Sequence, residues 1–104
     1  MLELSLSNVT DPGVDTGHII RWRAKQQTSS GSPERISVQL YQGLTLIADT
    51  FNQTMTRGAY ADFSFTLTNA QANSITDYSN LSFRFIPIQG SSEVMRVTWA
   101  EFEV

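Results

Sequence analysis

The feature that most constrains this chain is an alternation of apolar and polar residues with a period of two. Leu2, Leu4 and Leu6 alternate with Glu3 and Ser5, and Ile20, Trp22 and Ala24 alternate with Arg21, Arg23 and Lys25. The pattern returns in Ile36, Val38 and Leu40, in Leu44, Leu46 and Ala48, in Phe63, Phe65 and Leu67, and in Leu81, Phe83 and Phe85. Successive side chains of a strand point to opposite faces, so each segment reads as a strand with one buried face. The last segment starts Met95, Val97, Trp99 and then changes phase to Ala100, Phe102, Val104. Such a slip marks a β-bulge or bend near Trp99–Ala100. Seven strands result, or eight if the last one splits.

The connections carry turn chemistry. TDPGVDTG (10–17) and QQTSSGSPE (26–34) are polar loops rich in Gly, Pro, Ser and Asp, and the second reads as mobile. Gln42-Gly43 marks a tight hairpin, and TMTRGAY (54–60) a longer loop. Only LTNAQANSITDYSNL (67–81) reads as helix. Thr68 is its N-cap, and Gln71 three residues on closes a capping box. Leu67 before the cap and Ala72 form a hydrophobic staple, and Ile75 points the same way as Ala72. Asp77, Ser79 and Asn80 end the turn. Every signal has a structural job, so the stretch is expected to be a short helical corner, at about residues 68–76, between two strands.

These elements predict an all-β chain: an antiparallel two-sheet β-sandwich, jelly-roll-like, with its strongly patterned terminal strands paired or adjacent. An immunoglobulin-like Greek key is the alternative, although its Cys…Trp…Cys signature is absent. Residues 1–104 read as a single domain, long enough to bury roughly two-thirds of the unfolded surface without staples. The chain has no cysteine, which removes disulfides, thiol catalysis and thiolate metal sites, and fits a reducing compartment. Ten acidic against seven basic residues, with no run of either sign, argue against a nucleic-acid partner. No apolar run approaches a membrane span, and MLELSLSN shows no signal peptide. The chain is expected to be soluble and made in the cytoplasm.

Catalytic chemistry finds little support. His18 is the only histidine, at the mouth of a strand, with no nucleophile elbow to complete a triad. It reads as a hydrogen-bonding structural residue. Glu101 and Glu103 share one strand face about 6–7 Å apart, a permissible glycosidase spacing, but a cross-strand ladder with Arg21, Arg23 and Lys25 explains them better. Asp11 and Asp15 are weak calcium candidates, since Asp-Pro-Gly is a common turn and the spacing matches no calcium loop. No metal or other cofactor is expected. Trp22, Phe63, Phe65, Phe83, Phe85, Trp99 and Phe102 fall on inward parity and read as core. Tyr41, Phe51, Tyr60 and Tyr78 are left over, to cap the core or meet a partner. Met55 and Arg57 in the long loop are further contact candidates, because Met and Arg are enriched at interfaces.

VQLYQGLTLIADT (38–50), LTNAQANSITDYSNLSFRF (67–85) and VTWAEFEV (97–104), with TGH (16–18), resemble a β-sandwich domain of structural proteins in tailed bacteriophages and prophages. The resemblance runs from about Leu4 to Val104 and includes no catalytic motif, so no active-site residue is carried over. It implies a non-enzymatic virion protein made in the bacterial host. Its role would be capsid decoration, bound to the major capsid protein or another virion protein, as a homo-oligomer and by symmetry a trimer. On that reading the contact residues are sought in Met1–Ser7, with Met1 and Leu2, in the loop with Met55, Arg57 and Tyr60, and at Tyr41. The alternative is a glycan- or cell-surface-binding jelly-roll module of a tail or head fibre. It would use Tyr41, Tyr60 and Phe51 as an aromatic platform, with calcium at Asp11 and Asp15.

Overall fold

In the computed structural model, the residues described are 2–6, 9–26, 35–50, 53–54, 59–87 and 95–104. Among the described residues, the alternating segments and one further pair form eight strands: β1 (Leu2–Ser5), β2 (Ile19–Gln26), β3 (Arg35–Gln42), β4 (Thr45–Asp49), β5 (Gln53–Thr54), β6 (Ala61–Thr66), β7 (Leu81–Pro87) and β8 (Met95–Glu103). One helical turn, α1 (Asn69–Asn73), lies between β6 and β7. Two antiparallel sheets result. The first, sheet A, has the order β1-β7-β3-β4, with β5 also paired to β3; the second, sheet B, has the order β6-β2-β8. The chain is an all-β sandwich.

The core sits where the two central strands face each other. From β2 come Ile20, Trp22 and Ala24, each with no exposed surface, and from β3 come Ile36, Val38 and Leu40, at most 2% exposed. Phe83 and Phe85 of β7 join them from sheet A, and Phe63, Phe65 and Phe102 pack against the cluster from sheet B. Burying each large aliphatic or aromatic side chain contributes roughly 1.5–3 kcal/mol, so these central strands supply most of the hydrophobic drive.

Four details differ from the sequence reading. The terminal strands do not pair: β1 bonds β7 in sheet A while β8 bonds β2 in sheet B. The eighth strand is β5, and β8 runs unsplit from Met95 to Glu103. In the β3–β4 hairpin, Leu40 pairs Ala48 but Tyr41 pairs Leu46, so Ile47 is an extra residue. That bulge turns both Ile47 and Ala48 inward and leaves Leu46 47% and Leu44 91% exposed, where simple alternation placed both leucines in the core. In β8, Arg23 pairs Trp99 and Ala24 pairs Val97, so the extra residue is Thr98, just before the expected position. Trp99 therefore shares the outer face of sheet B with Arg23 and is 41% exposed. It is not core.

The corner forms as its sequence dictates. The Thr68 hydroxyl accepts from the Gln71 amide at 3.2 Å, and the Gln71 side chain accepts from the Thr68 amide at 2.9 Å, which completes the capping box. Leu67, Ala72 and Ile75 are buried. A fastening from elsewhere in the chain holds the corner down. Gln42, the last residue of β3, accepts through Oε1 from the amides of Thr76 and Asp77, both at 2.8 Å. Next to it, the Gly43 amide donates to the Asn80 carbonyl at 3.0 Å. Gly43 has φ +59, and a Cβ there would meet Asn80 Nδ2 at 3.0 Å, so this turn favours glycine twice over.

Candidate functional site

Sheet B has two ends. At the lower one, just before β2, His18 has no exposed surface. Its Nδ1 lies 3.2 Å from the Thr16 carbonyl, which can only accept, so Nδ1 carries the hydrogen. Nε2 then accepts from the Tyr78 hydroxyl at 2.8 Å. Both ring nitrogens are used, and Phe102 packs against the ring. Burial, with a smaller push from the Asp11 charge, holds the Tyr78 hydroxyl above its usual pKa. Tyr78 is thus a core-capping residue hydrogen-bonded through the corner.

Over this end lies an open groove of about 350 Å³, lined by the 11–15 loop, α1, Ile75 and Tyr78. Asp11 and Asp15 both border it, but each has a partner. Asp11 accepts from the Gly13 amide at 2.8 Å, an Asx turn, and Asp15 accepts from the Asn73 side chain at 3.0 Å. Among the described residues, no three His, Cys, Asp or Glu side chains gather in a way that could hold a metal ion. The two aspartates act here as turn and loop-to-helix fasteners. In the corner itself, the Ser79 hydroxyl and then its amide bond Asp77 and lower the carboxyl pKa.

The outer face of sheet A is also internally closed. The Arg84 guanidinium lies 3.9 Å from the centre of the Tyr41 ring and donates to Glu3 at 2.7 Å. Asp49 accepts from the Ser37 hydroxyl and, at 2.8 Å, from Gln39. Tyr41, a candidate from the sequence, is therefore half-buried beneath an arginine that already has its carboxylate.

The outer face of sheet B is graded along β2. Arg21 bonds Glu103 at 2.5 Å and Glu101 at 3.3 Å, which confirms the cross-strand ladder for the two glutamates. One register step up, Arg23 bonds Asp62 at 3.1 Å and has Trp99 on its other side. At the upper end, the Lys25 ammonium lies 4.8 Å from the centre of the Tyr60 ring, with the Arg23 guanidinium 5.6 Å from the same ring. Among the described residues Lys25 meets no carboxylate. Tyr60, Lys25 and Arg23, each partly exposed, and the exposed Trp99 thus form an aromatic and cationic cluster. Of these, only Tyr60 was singled out from sequence as a site residue. The signal for Trp99 was the phase slip in VTWAEFEV: placed one residue earlier, it sends Trp99 outward with Glu101 and Glu103.

Of the other contact candidates, Leu2 lies in β1, whose backbone pairs with Phe85 of β7. Met1, Met55, Arg57 and Phe51 lie outside the described residues, as does the loop 27–34. Comparison with protein families, curated proteins and solved structures finds no match to this chain.

Proposed function

We propose that this chain is a non-enzymatic structural module of a tailed-phage or prophage virion, a capsid decoration protein seated on the major capsid protein as a homo-oligomer, with a trimer as the simplest fit to three-fold capsid positions. The observation that best supports the reading is the bond between the segments that carry the resemblance. Gln42 of LYQG holds the Thr76 and Asp77 amides of ITDYS, so the shared motifs form one interlocked unit. The only histidine is spent on Thr16 and Tyr78, which also suits a module that binds without chemistry. Lattice avidity lets such a subunit hold on through several weak contacts.

The proposed N-terminal contact needs a sharper test than truncation. β1 covers the β7 edge, and Leu6 donates its amide to Leu81 and packs against the core, so deletion removes structure as well as surface. The test is the copy number of the protein in purified particles, by quantitative mass spectrometry against the major capsid protein. A ratio near one-to-one, or a simple symmetric fraction of it, is expected. Absence from the particle overturns the reading. A handful of copies moves the protein to a tail or fibre, where the glycan-binding reading leads. That second reading is favoured by one observation: Trp99 stands exposed beside Arg23, across β2 from Tyr60.

A further inference from the structure

We propose that the upper end of the sheet B outer face is a binding site for an acidic sugar, a hexuronate or sialate unit of a surface glycan. The first argument is shape. Trp99 on β8 and Tyr60 next to β6 flank the central strand β2. Two strand spacings separate them, roughly 10 Å, which is the span of one or two pyranose rings. The negative faces of aromatic rings attract the partly positive C–H groups on a pyranose face. A Trp that is 41% exposed in the middle of a strand offers such a face at the surface.

The second argument is charge. Arg21 at the lower end is shared by two glutamates, so that end has no positive charge to spare. At the upper end, among the described residues, Arg23 has one carboxylate, Asp62, and Lys25 has the Tyr60 ring and no carboxylate. A sugar carboxylate supplies an anion to the Lys25 ammonium while its ring lies against Trp99. A single-stranded nucleic acid fits less well. Glu101 stands one register step below Trp99 and Asp62 within the cluster, and a chain of net charge −3 repels an extended polyphosphate.

The site does not require that the protein ride on a particle, so the test uses the free chain. It is a titration with trigalacturonate and with sialyllactose, against neutral maltotriose and a ten-residue deoxythymidine oligonucleotide, read by calorimetry and tryptophan fluorescence. Trp22 has no exposed surface, so a ligand-dependent emission change traces to Trp99. At least one acidic sugar is expected to bind, and binding should weaken with added salt. Trp99→Ala should lower its affinity at least ~10-fold, as truncation of an aromatic anchor does. Lys25→Gln should lower it by about 3- to 10-fold, while Leu44→Ala on the distant hairpin leaves it unchanged. Thermal melts of each variant confirm that the sandwich is intact. The proposal is overturned if neither acidic sugar binds saturably, if binding survives Trp99→Ala, or if the oligonucleotide or maltotriose binds as tightly.

Discussion

The two ends of sheet B use the same kinds of residue to opposite effect. At the lower end a histidine, a tyrosine and two aspartates are all bonded: His18 to Thr16 and Tyr78, Asp11 to Gly13, and Asp15 to Asn73. At the upper end a lysine, an arginine, a tyrosine and a tryptophan gather with, among the described residues, a single bonded carboxylate between them. Sheet A supplies a control. Arg84 over Tyr41 repeats the cation and ring of Lys25 over Tyr60, but Glu3 closes it. The difference teaches that a cation on an aromatic ring says little about binding until its remaining donors are counted. Where they are spent the group is scaffold, and where they are not it has capacity for a ligand.

The strongest way to break this comparison is to open the closed end. His18→Ala empties a site with no exposed surface and strands the Tyr78 hydroxyl, so it should cost about 2–4 kcal/mol of unfolding free energy. Urea denaturation measures it. A loss below about 1 kcal/mol would mean that the lower end is not closed by this pair, and that His18 is available for other work.

A milder probe of the same end uses pH. The folded-state pKa of Tyr78 lies above its unfolded value of about 10, chiefly through burial. Its contribution is therefore complete below about pH 10 and is lost as pH rises through the folded value, because the unfolded chain ionises first. The stability of the wild-type chain should fall in that range more steeply than that of Tyr78→Phe, which has no proton to lose there. Parallel curves for the two proteins would remove Tyr78 from the account.

How far the sequence revealed these two ends depends on what kind of signal each carries. The corner was legible because Thr68, Gln71, Ala72 and Ile75 act within a few residues of one another, and capping and helical spacing are local rules. The central strands were legible because alternation survives wherever the ladder is regular. What escaped were consequences of one inserted residue. Ile47 and Thr98 each shift the parity of what adjoins them, so Leu46 and Trp99 face solvent although their spacing matches that of core residues. The slip in β8 was visible, but its position to within one residue was not. That residue decides whether Trp99 is core or surface. The pairing of His18 with Tyr78 and of Gln42 with Thr76 joins positions far apart in the chain, and no periodicity reports such contacts.

The smallest expected effect is the most telling one for the open end. Lys25→Ala removes an ammonium that bonds no carboxylate among the described residues and rests on a half-exposed ring, a contact worth about 0.5–1 kcal/mol at most. Surface substitutions of this kind lie close to neutral, so the net change should be within about 0.5 kcal/mol of zero. Arg84→Ala, its counterpart on sheet A, loses an ion pair, a stacked ring and the packing of its stem together, and should cost about 1–2 kcal/mol. Both are read from chemical denaturation of the full chain. Equal costs for the two would mean that Lys25 is scaffold like Arg84, and the contrast between the faces would fail. A near-zero change at Lys25 beside a clear loss at Arg84 means that stability does not explain why a lysine stands there, and leaves ligand binding as the role that does.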